Sequence, residues 1–324
     1  MTENTGYEVV VVGGGAAGLS AALVLGRSRR RTLVVDAGEP RNAPSAHMQG
    51  YLSRDGMSPA AFLAVGRREI ARYGVELVRD RVVDATREDA DRGGGGGGDF
   101  SVVLAGGRTV RARQLVVATG LEDELPPVPG LAERFGRDVL HCPYCHGWES
   151  RDLPTGVLAT SVLSVHQALM VTRWSKDVRL FLHEVGESEL TDQDLRRLAA
   201  AGVTVVPGEV AEVVVTDDRL TGVRLAGGAP GGGSFHAREV LYAAPRAVPR
   251  NDLLVRLGAE LRETPFGSYP VIDERGLTSV PGLWAAGNAS GFAEQVVNAA
   301  SRGYRAGAAI NAELLMADLD ESAP

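Results

Sequence analysis

The chain has 324 residues, more than one hydrophobic core usually serves, and its length therefore predicts two domains. With 44% hydrophobic residues, 23% charged residues and a mean hydropathy of -0.03, the composition excludes the disordered and fibrous classes. A net charge of -7 argues against a nucleic-acid partner, because phosphate binding relies on dense Lys and Arg. No apolar run approaches the ~20 residues that span a bilayer, and no signal peptide is recognisable, so we expect a cytoplasmic protein without a membrane partner.

The start of the chain has a strand, helix, strand pattern. Residues 7–12 form a β-branched run, residues 16–28 are apolar at helical spacing, and residues 32–38 predict a second strand. The turn between them, GGGAAG, satisfies G-x-G-x-x-G. Gly13 permits the tight turn, Gly15 lets a pyrophosphate approach the backbone, and Gly18 allows close packing of helix and strand. Asp36 can accept hydrogen bonds from ribose hydroxyls. The pattern favours a dinucleotide site over a plain glycine-rich turn, but it does not separate FAD from NAD.

The middle of the chain predicts two crossings between domains. Residues 114–120 (QLVVATG) form an apolar strand before a proline-rich stretch, and residues 240–246 (VLYAAPR) form another that ends in proline. Glycine-rich stretches at 93–98 and 227–234 predict hairpin tips. We therefore predict an α/β fold of two Rossmann-like, three-layer nucleotide-binding domains. Residues 1–120 and 247–324 would form the first domain, and residues 121–246 would form a second, inserted domain.

Both cysteines of the chain lie in the sequence HCPYCHG. A C-x-x-C pair at a helix start brings two sulfurs within bonding distance, and the helix dipole and adjacent histidines can lower a thiol pKa. A zinc site is the rival, but it would need two further ligands and no second cysteine pair exists; an inert pair is the other alternative. We predict that Cys142 and Cys145 form a redox pair and that no metal is bound. Either His141 or His146 could act as general acid or base, and we favour His146.

The inserted domain repeats the strand, helix, strand pattern without the glycines. Ala159, Ser161 and Ser164 stand where a second dinucleotide motif would have glycine, and a side chain at 161 would obstruct the pyrophosphate. After the following strand comes Glu184, which would repel a 2'-phosphate, and no arginine pair is present. We therefore do not expect NADPH to bind in the usual way.

The C-terminal part of the chain adds a third feature. The sequence AAGN at 285–288 precedes a helical stretch from about Glu294 to Met316. A helix that begins at Glu294, Gln295 and Val296 could stabilise negative charge on a reduced flavin. An ordinary strand-loop-helix connection is an equally good interpretation of these residues.

The chain contains, in order, GGGAAG, ATG at 118–120, CPYC, the degenerate second unit and AAGN before EQV. With this order of motifs it resembles the thioredoxin reductase family of flavoproteins over nearly its whole length. Within that family, residues 36–56 and HCPYCHGWE are most similar to the FAD-dependent dithiol oxidases that close disulfides in natural products such as gliotoxin and holomycin. The resemblance implies the fold of the pyridine nucleotide-disulfide oxidoreductases, one FAD per subunit, a homodimer and a two-stranded hinge.

The resemblance also implies roles for individual residues. Cys145 would face the flavin, Cys142 would react with the substrate sulfur, and His146 would deprotonate a substrate thiol. Position 288 more often holds Asp in the family, so Asn288 keeps a hydrogen bond but not the charge. The predicted FAD-binding residues are Gly13, Gly15, Ala16, Ala17, Gly18, Asp36, Ala37, Arg41, Asn42, His47, Val83, Ala118, Thr119, Gly120, Gly287, Asn288, Glu294, Gln295 and Val296.

The predicted function is oxidation of a small-molecule dithiol, with molecular oxygen as the final electron acceptor. Two alternatives stay open. One is a disulfide reductase supplied by NADPH or a protein donor, and the other is a flavin and thiol redox sensor without turnover. For His47, a structural role in its loop is as good an interpretation as a place near the cofactor.

Overall fold

The computed structural model describes residues 6–88, 99–227 and 233–323. The glycine run at 93–98 and residues 228–232, predicted to form hairpin tips, lie outside the described residues. The strands are β1 (Gly6–Val12), β2 (Thr32–Val35), β3 (Glu76–Val78), β4 (Val82–Arg87), β5 (Phe100–Leu104), β6 (Thr109–Val117), β7 (Leu121–Glu124), β8 (Val139–Leu140), β9 (Thr155–Leu158), β10 (Val178–Phe181), β11 (Thr204–Val206), β12 (Val210–Thr216), β13 (Arg219–Leu225), β14 (Phe235–Ala237), β15 (Val240–Ala243), β16 (Arg246–Pro249), β17 (Leu261–Thr264), β18 (Gly267–Pro270) and β19 (Leu283–Ala285). The helices are α1 (Ala16–Arg27), α2 (Pro59–Ala71), α3 (Leu131–Arg134), α4 (Pro143–His146), α5 (Ser164–Val171), α6 (Asp192–Ala200), α7 (Asp252–Arg256) and α8 (Val296–Ser322).

The chain divides into two compact units. The first consists of Met1–Ala43, Ser58–Glu122 and Ala247–Pro324, and the second of Pro44–Met57 and Asp123–Arg246. The sequence analysis had placed residues 44–57 in the first domain. They group with the second unit because Gln49 Nε2 donates to Glu149 at 3.1 Å and Gly136 packs against Pro44, and neither contact leaves a signal in the local sequence.

The first unit is built on a mixed sheet in the order β3-β2-β1-β6-β5-β4, with β19 also paired to β6. Strands β3, β2, β1, β6 and β19 are parallel, whereas β4 and β5 are antiparallel. Helices α1 and α8 pack on one face. A Cβ at Gly303 would collide with the carbonyl of Ala17, so glycine is what lets the two helices approach so closely. This helix pair covers the parallel half of the sheet, where the predicted dinucleotide turn lies.

The second unit contains an all-parallel sheet in the order β11-β10-β9-β15-β8 and a smaller antiparallel sheet, β12-β13-β14. Helix α5 connects β9 to β10, which gives the second strand, helix, strand unit that the sequence predicted. The α/β fold with two Rossmann-like units is therefore confirmed. Helix α8 extends to Ser322, beyond the predicted end near Met316, because Arg30 and Arg113 both bind Asp318 at 2.6 Å and hold the last turns. Among the described residues, no helix is both long and apolar enough to cross a membrane.

Candidate cofactor site and redox pair

The glycine-rich turn of the first unit combines tight packing with open space. Gly13 has φ +106, and a Cβ there would strike the carbonyl of Ala118; a Cβ at Gly18 would strike the carbonyl of Gly13. At Gly15, in contrast, a Cβ would meet no atom within 4 Å. Gly15 also precedes α1 without any side-chain cap, so the first N–H groups of the helix are not satisfied by a side chain. The turn therefore fits a pyrophosphate that approaches the start of α1.

Most of the predicted cofactor residues follow the carboxyl ends of parallel strands, which is where ligands bind in open α/β sheets. Gly13 follows β1, Ala37 follows β2, Thr119 follows β6 and Gly287 follows β19. These four loops also contain Gly15, Asp36, Arg41, Asn42, Ala118, Gly120 and Asn288, and the first turn of α1 contains Ala16, Ala17 and Gly18. The fold thus gathers distant parts of the first unit at one edge of its sheet.

Asp36 is buried and already carries three contacts. Its Oδ1 accepts from the backbone N–H of Gly14 at 3.1 Å and of Gly38 at 3.2 Å, and Arg67 Nη2 lies 3.3 Å from Oδ2. These bonds fix the carboxylate beside the glycine-rich turn, where it can still accept from a ribose hydroxyl. Arg67, on α2, was missed by the sequence analysis because an arginine inside an amphipathic helix carries no motif.

The loop between β19 and α8 is held by Asn288. Its Nδ2 donates to the carbonyl oxygens of Gly291 and Phe292 at 3.0 and 2.9 Å, so the side chain orders the loop before the helix. Helix α8 begins at Val296 rather than Glu294, with Gln295 as the preceding residue and no side-chain cap. Glu294 Oε1 accepts from Arg302 Nε at 2.6 Å. Helix α8 therefore starts without a side-chain cap, and the stabilisation of a reduced flavin by its first turn stays a prediction.

Two predicted cofactor residues lie elsewhere. Val83 is on β4, in the antiparallel part of the first sheet, and not in a loop at the carboxyl end of a parallel strand. His47 is exposed and belongs to the second unit, in the segment that the sequence analysis had placed in the first.

Cys142 and Cys145 form a disulfide whose Cα atoms are 5.2 Å apart. Pro143 opens α4 directly after Cys142, and the N–H groups of Cys145 and His146 donate to the carbonyl of Cys142 at 3.1 and 3.2 Å. Proline fits there because the first N–H of a helix has no partner within it. Among the described residues, no three His, Cys, Asp or Glu side chains cluster as metal ligands would. The sulfurs are thus paired with each other at a helix start.

Buried polar side chains from distant elements support this turn. Gln167, on α5, donates from Nε2 to the carbonyl of His141 at 2.6 Å. Ser150 Oγ donates to the carbonyl of His146 at 2.9 Å and lies 2.9 Å from the hydroxyl of Tyr242, on β15. The sequence analysis missed all three, because no local motif marks a side chain that acts through a backbone carbonyl, as Gln167 and Ser150 do, or through another hydroxyl, as Tyr242 does. The redox turn is therefore held from the helix and the sheet beneath it.

His146 is half-buried next to Cys145. Burial lowers the pKa of His146 below its ordinary value, because the imidazolium is desolvated, and the negative charge of Glu149 opposes part of this shift. The imidazole is therefore neutral at neutral pH and available to accept a proton. His141 is also half-buried, and its carbonyl, rather than its ring, contacts Gln167.

The start of α5 in the second unit differs from the start of α1. Ser161 and Ser164 stand where a phosphate-binding turn would have glycine, and the adjacent Val162 and Leu163 are 45% and 53% exposed. Ser164 Oγ accepts from the N–H of Thr160 at 3.3 Å and so fills part of the turn. Glu184 follows β10 and is exposed. A dinucleotide phosphate that approached this turn would meet side chains and a negative charge instead of open backbone.

The comparisons with known proteins agree with this arrangement. The model of the pyridine nucleotide-disulphide oxidoreductase family matches residues 7–303. Thioredoxin reductase sirT of Leptosphaeria maculans is 32% identical over 97% of this chain and 96% of that protein. Thioredoxin reductase tcpT of Claviceps purpurea is 31% identical over 99% and 98%. The crystal structure of HlmI has a TM-score of 0.91 at 49% identity and covers 99% of this chain and 96% of that one.

The fold and the cysteine pair define a disulfide oxidoreductase with two nucleotide-type units. The chain belongs to the pyridine nucleotide-disulphide oxidoreductase family, and the predicted resemblance to thioredoxin reductases is confirmed. Members of this family are FAD-binding flavoproteins, so FAD is the cofactor. The open space at Gly15 and the uncapped starts of α1 and α8 fit that cofactor in the first unit.

Proposed function

We propose that this oxidoreductase is an FAD-dependent dithiol oxidase, which joins two thiols of one small molecule into an intramolecular disulfide. The observation that carries the proposal is the start of α5, where Ala159, Ser161 and Ser164 replace the glycines of a phosphate-binding turn and the Ser164 hydroxyl accepts from the N–H of Thr160. A flavoprotein whose second unit does not favour NADPH needs another source of electrons. The disulfide of Cys142 and Cys145 can take those electrons from a thiol substrate.

In the proposed reaction, His146 accepts the proton of one substrate thiol, because its lowered pKa keeps the ring neutral. The thiolate attacks Sγ of Cys142, the bond between the two cysteine sulfurs breaks, and Cys145 leaves as a thiolate. The second substrate thiol, once deprotonated, displaces Cys142 and closes the substrate disulfide. The substrate loses two electrons and two protons, and the cysteine pair gains two electrons.

FAD would supply the two-electron chemistry through which the sulfurs of Cys142 and Cys145 rejoin as a disulfide, and molecular oxygen, with these two electrons and the two protons released by the substrate, would become one hydrogen peroxide for each disulfide. Within the chain, the loops after β1, β2, β6 and β19 would hold the cofactor. Gln167, Ser150 and Tyr242 would keep the cysteine turn in place while its disulfide opens and closes.

The similarity of residues 36–56 and 141–149 to the dithiol oxidases supports the direction of the proposed reaction. The curated relatives are named thioredoxin reductases, and this favours one competing function, in which an electron donor reduces the flavin and the cysteines reduce a protein disulfide. A redox sensor without turnover is a third function for the same fold.

Oxygen consumption separates these functions. The purified yellow protein is mixed with 1,4-dithiothreitol in air, with a C142S C145S double variant as the matched control. We expect one oxygen consumed and one peroxide formed for each cyclic disulfide, and only free-flavin background in the control. Oxidation of NADPH that requires a protein disulfide and consumes no oxygen would identify a reductase, and no turnover of any dithiol would favour the sensor.

The proposal includes a cytoplasmic homodimer. The family resemblance implies the dimer, and a redox pair as the only cysteines fits a reducing compartment. Light scattering of the FAD-loaded protein tests the first point, because a dimer has twice the mass of the 34.1 kDa chain. Fractionation of the native cells tests the second.

A further inference from the structure

The turn that contains the cysteine pair presents two large aromatic side chains to solvent. Tyr144 is 76% exposed and Trp148 is 66% exposed, whereas Pro143 and Gly147 in the same turn are buried. Exposed indole and phenol rings mark interaction surfaces, because they offer a large apolar area at a small cost in side-chain entropy. No role has yet been assigned to either ring in the reaction.

Helical geometry places Tyr144, Cys145 and Trp148 on one face of the turn. The N–H of Gly147 donates to the carbonyl of Pro143 at 2.7 Å, and the N–H of Ser150 donates to His146 at 3.0 Å, so the helical turn continues past α4. Side chains three and four residues apart lie on one helix face, with their Cβ atoms about 5–6 Å apart. Trp148 is four residues from Tyr144 and three from Cys145, so its Cβ lies on the same face of the turn as theirs.

Both rings are fixed from one side. The guanidinium of Arg151 lies 4.3 Å from the centroid of the Trp148 ring, and Arg151 Nη1 donates to the Trp148 carbonyl at 2.6 Å. Tyr144 makes an edge-to-face contact with Trp174, with a centroid distance of 6.0 Å. A ligand that stacks on these rings therefore loses little free energy to ordering them.

We propose that Trp148, with Tyr144 beside it, is the specificity-determining surface for the dithiol and selects substrates whose thiols are attached to a flat, unsaturated ring system. This inference rests on the proposed function. A small molecule fits better than a protein, because two rings supply far less than the roughly 800 Å² that each partner buries in a stable protein interface. A flat ring stacks on the open face of the indole while its thiols reach the neighbouring disulfide.

Two dithiols that close the same size of disulfide ring test this selection. They are 1,2-bis(mercaptomethyl)benzene, which is flat and aromatic, and 1,4-dithiothreitol, which is not. In W148A we expect KM for the aromatic dithiol to rise about tenfold, with KM for dithiothreitol changed less than about twofold and kcat retained. W148F should restore most of the difference.

F235A is the matched control, because Phe235 is also exposed in the second unit, with the guanidinium of Arg224 5.8 Å from its centroid. It should leave both KM values unchanged. An equal loss on both dithiols in W148A, or no loss on either, would overturn the inference while the oxidase function stands.

Binding without turnover separates the two proposals. Calorimetry measures the affinity of the cyclic disulfide of 1,2-bis(mercaptomethyl)benzene for the FAD-loaded protein. We expect W148A to bind it about tenfold more weakly than the unaltered protein. Equal affinities, or no binding by the unaltered protein, would overturn the inference, whereas binding without dithiol turnover would overturn only the proposed function.

Discussion

The hydroxyl of Ser150 lies 2.9 Å from the hydroxyl of Tyr242, and both residues are buried. Because Ser150 Oγ donates its proton to the carbonyl of His146, the bond between the two hydroxyls must be donated by Tyr242. The chain of hydrogen bonds therefore runs from the central sheet of the second unit to the backbone of the proposed base.

This direction predicts unequal effects of removing either hydroxyl. Y242F should cost about 1 kcal/mol of unfolding free energy, because Ser150 keeps its acceptor. S150A should cost about 2 kcal/mol, because it leaves the buried hydroxyl of Tyr242 without a partner. The double variant should be no less stable than S150A. Urea denaturation measures all three, and costs that simply add would show that the two hydroxyls do not interact.

The open space at Gly15 predicts a variant that folds but does not hold FAD. Gly15 has φ -78 and ψ -171, which any residue can adopt, and Asp is a favourable residue before a helix. In G15D the melting temperature of the FAD-free protein should not fall. FAD affinity should fall tenfold or more by rough estimate, since the carboxylate faces a pyrophosphate. Flavin absorbance per protein measures this loss.

Two further variants control for charge and packing. G15N has nearly the same size and capping ability without the charge, so it should retain more FAD than G15D. G18A should destabilise the FAD-free fold itself, because its Cβ collides with the carbonyl of Gly13. Stoichiometric FAD in purified G15D would remove this turn from the cofactor site.

His146 predicts a particular dependence of turnover on pH. As the base, it must be neutral, so activity should be lost only as the pH falls below its pKa, which burial places under the ordinary value of 6.5. The charge of Glu149 raises this pKa, and E149Q should therefore move the acid limb of kcat/KM to lower pH. H146Q should lower turnover by roughly 10²–10⁴ and keep FAD. If H141Q, rather than H146Q, abolishes the acid limb, the base is His141.

The cysteine pair predicts loss of turnover without loss of FAD. C142S and C145S should each lower dithiol turnover by more than about 10³-fold, because each removes one half of the disulfide. The two variants also separate the roles of the sulfurs. C145S should still form a mixed disulfide at Cys142 with a pyridyl disulfide reagent, whose pyridinethione leaves, and mass spectrometry detects the product; C142S should form the corresponding adduct at Cys145 more slowly. Retained turnover in both would exclude the pair from the reaction.

The sequence predicted the parts of the site that local patterns define. Gly13, Gly15 and Gly18 are recognisable because the turn needs particular residues at fixed spacing, and Cys142 and Cys145 because the sulfurs lie three residues apart. It did not predict Gln167, which reaches the carbonyl of His141 from another helix.

The placement of residues 44–57 was wrong for the same reason. That segment is assigned to the second unit by tertiary contacts, such as the one from Gln49 to Glu149, and a single sequence does not record these. Helix α8 likewise extends beyond its predicted end, since ion pairs of Asp318 with two distant arginines support its last turns.

The direction of electron flow is tested most directly by anaerobic mixing of the oxidised yellow protein with 1,4-dithiothreitol in one cuvette and NADPH in another. The start of α5 and the disulfide of the second unit lead us to expect rapid, saturable bleaching of the flavin by the dithiol, which C142S abolishes, and no saturable bleaching by NADPH. Rapid and saturable bleaching by NADPH, with the dithiol inert, would contradict the oxidase function.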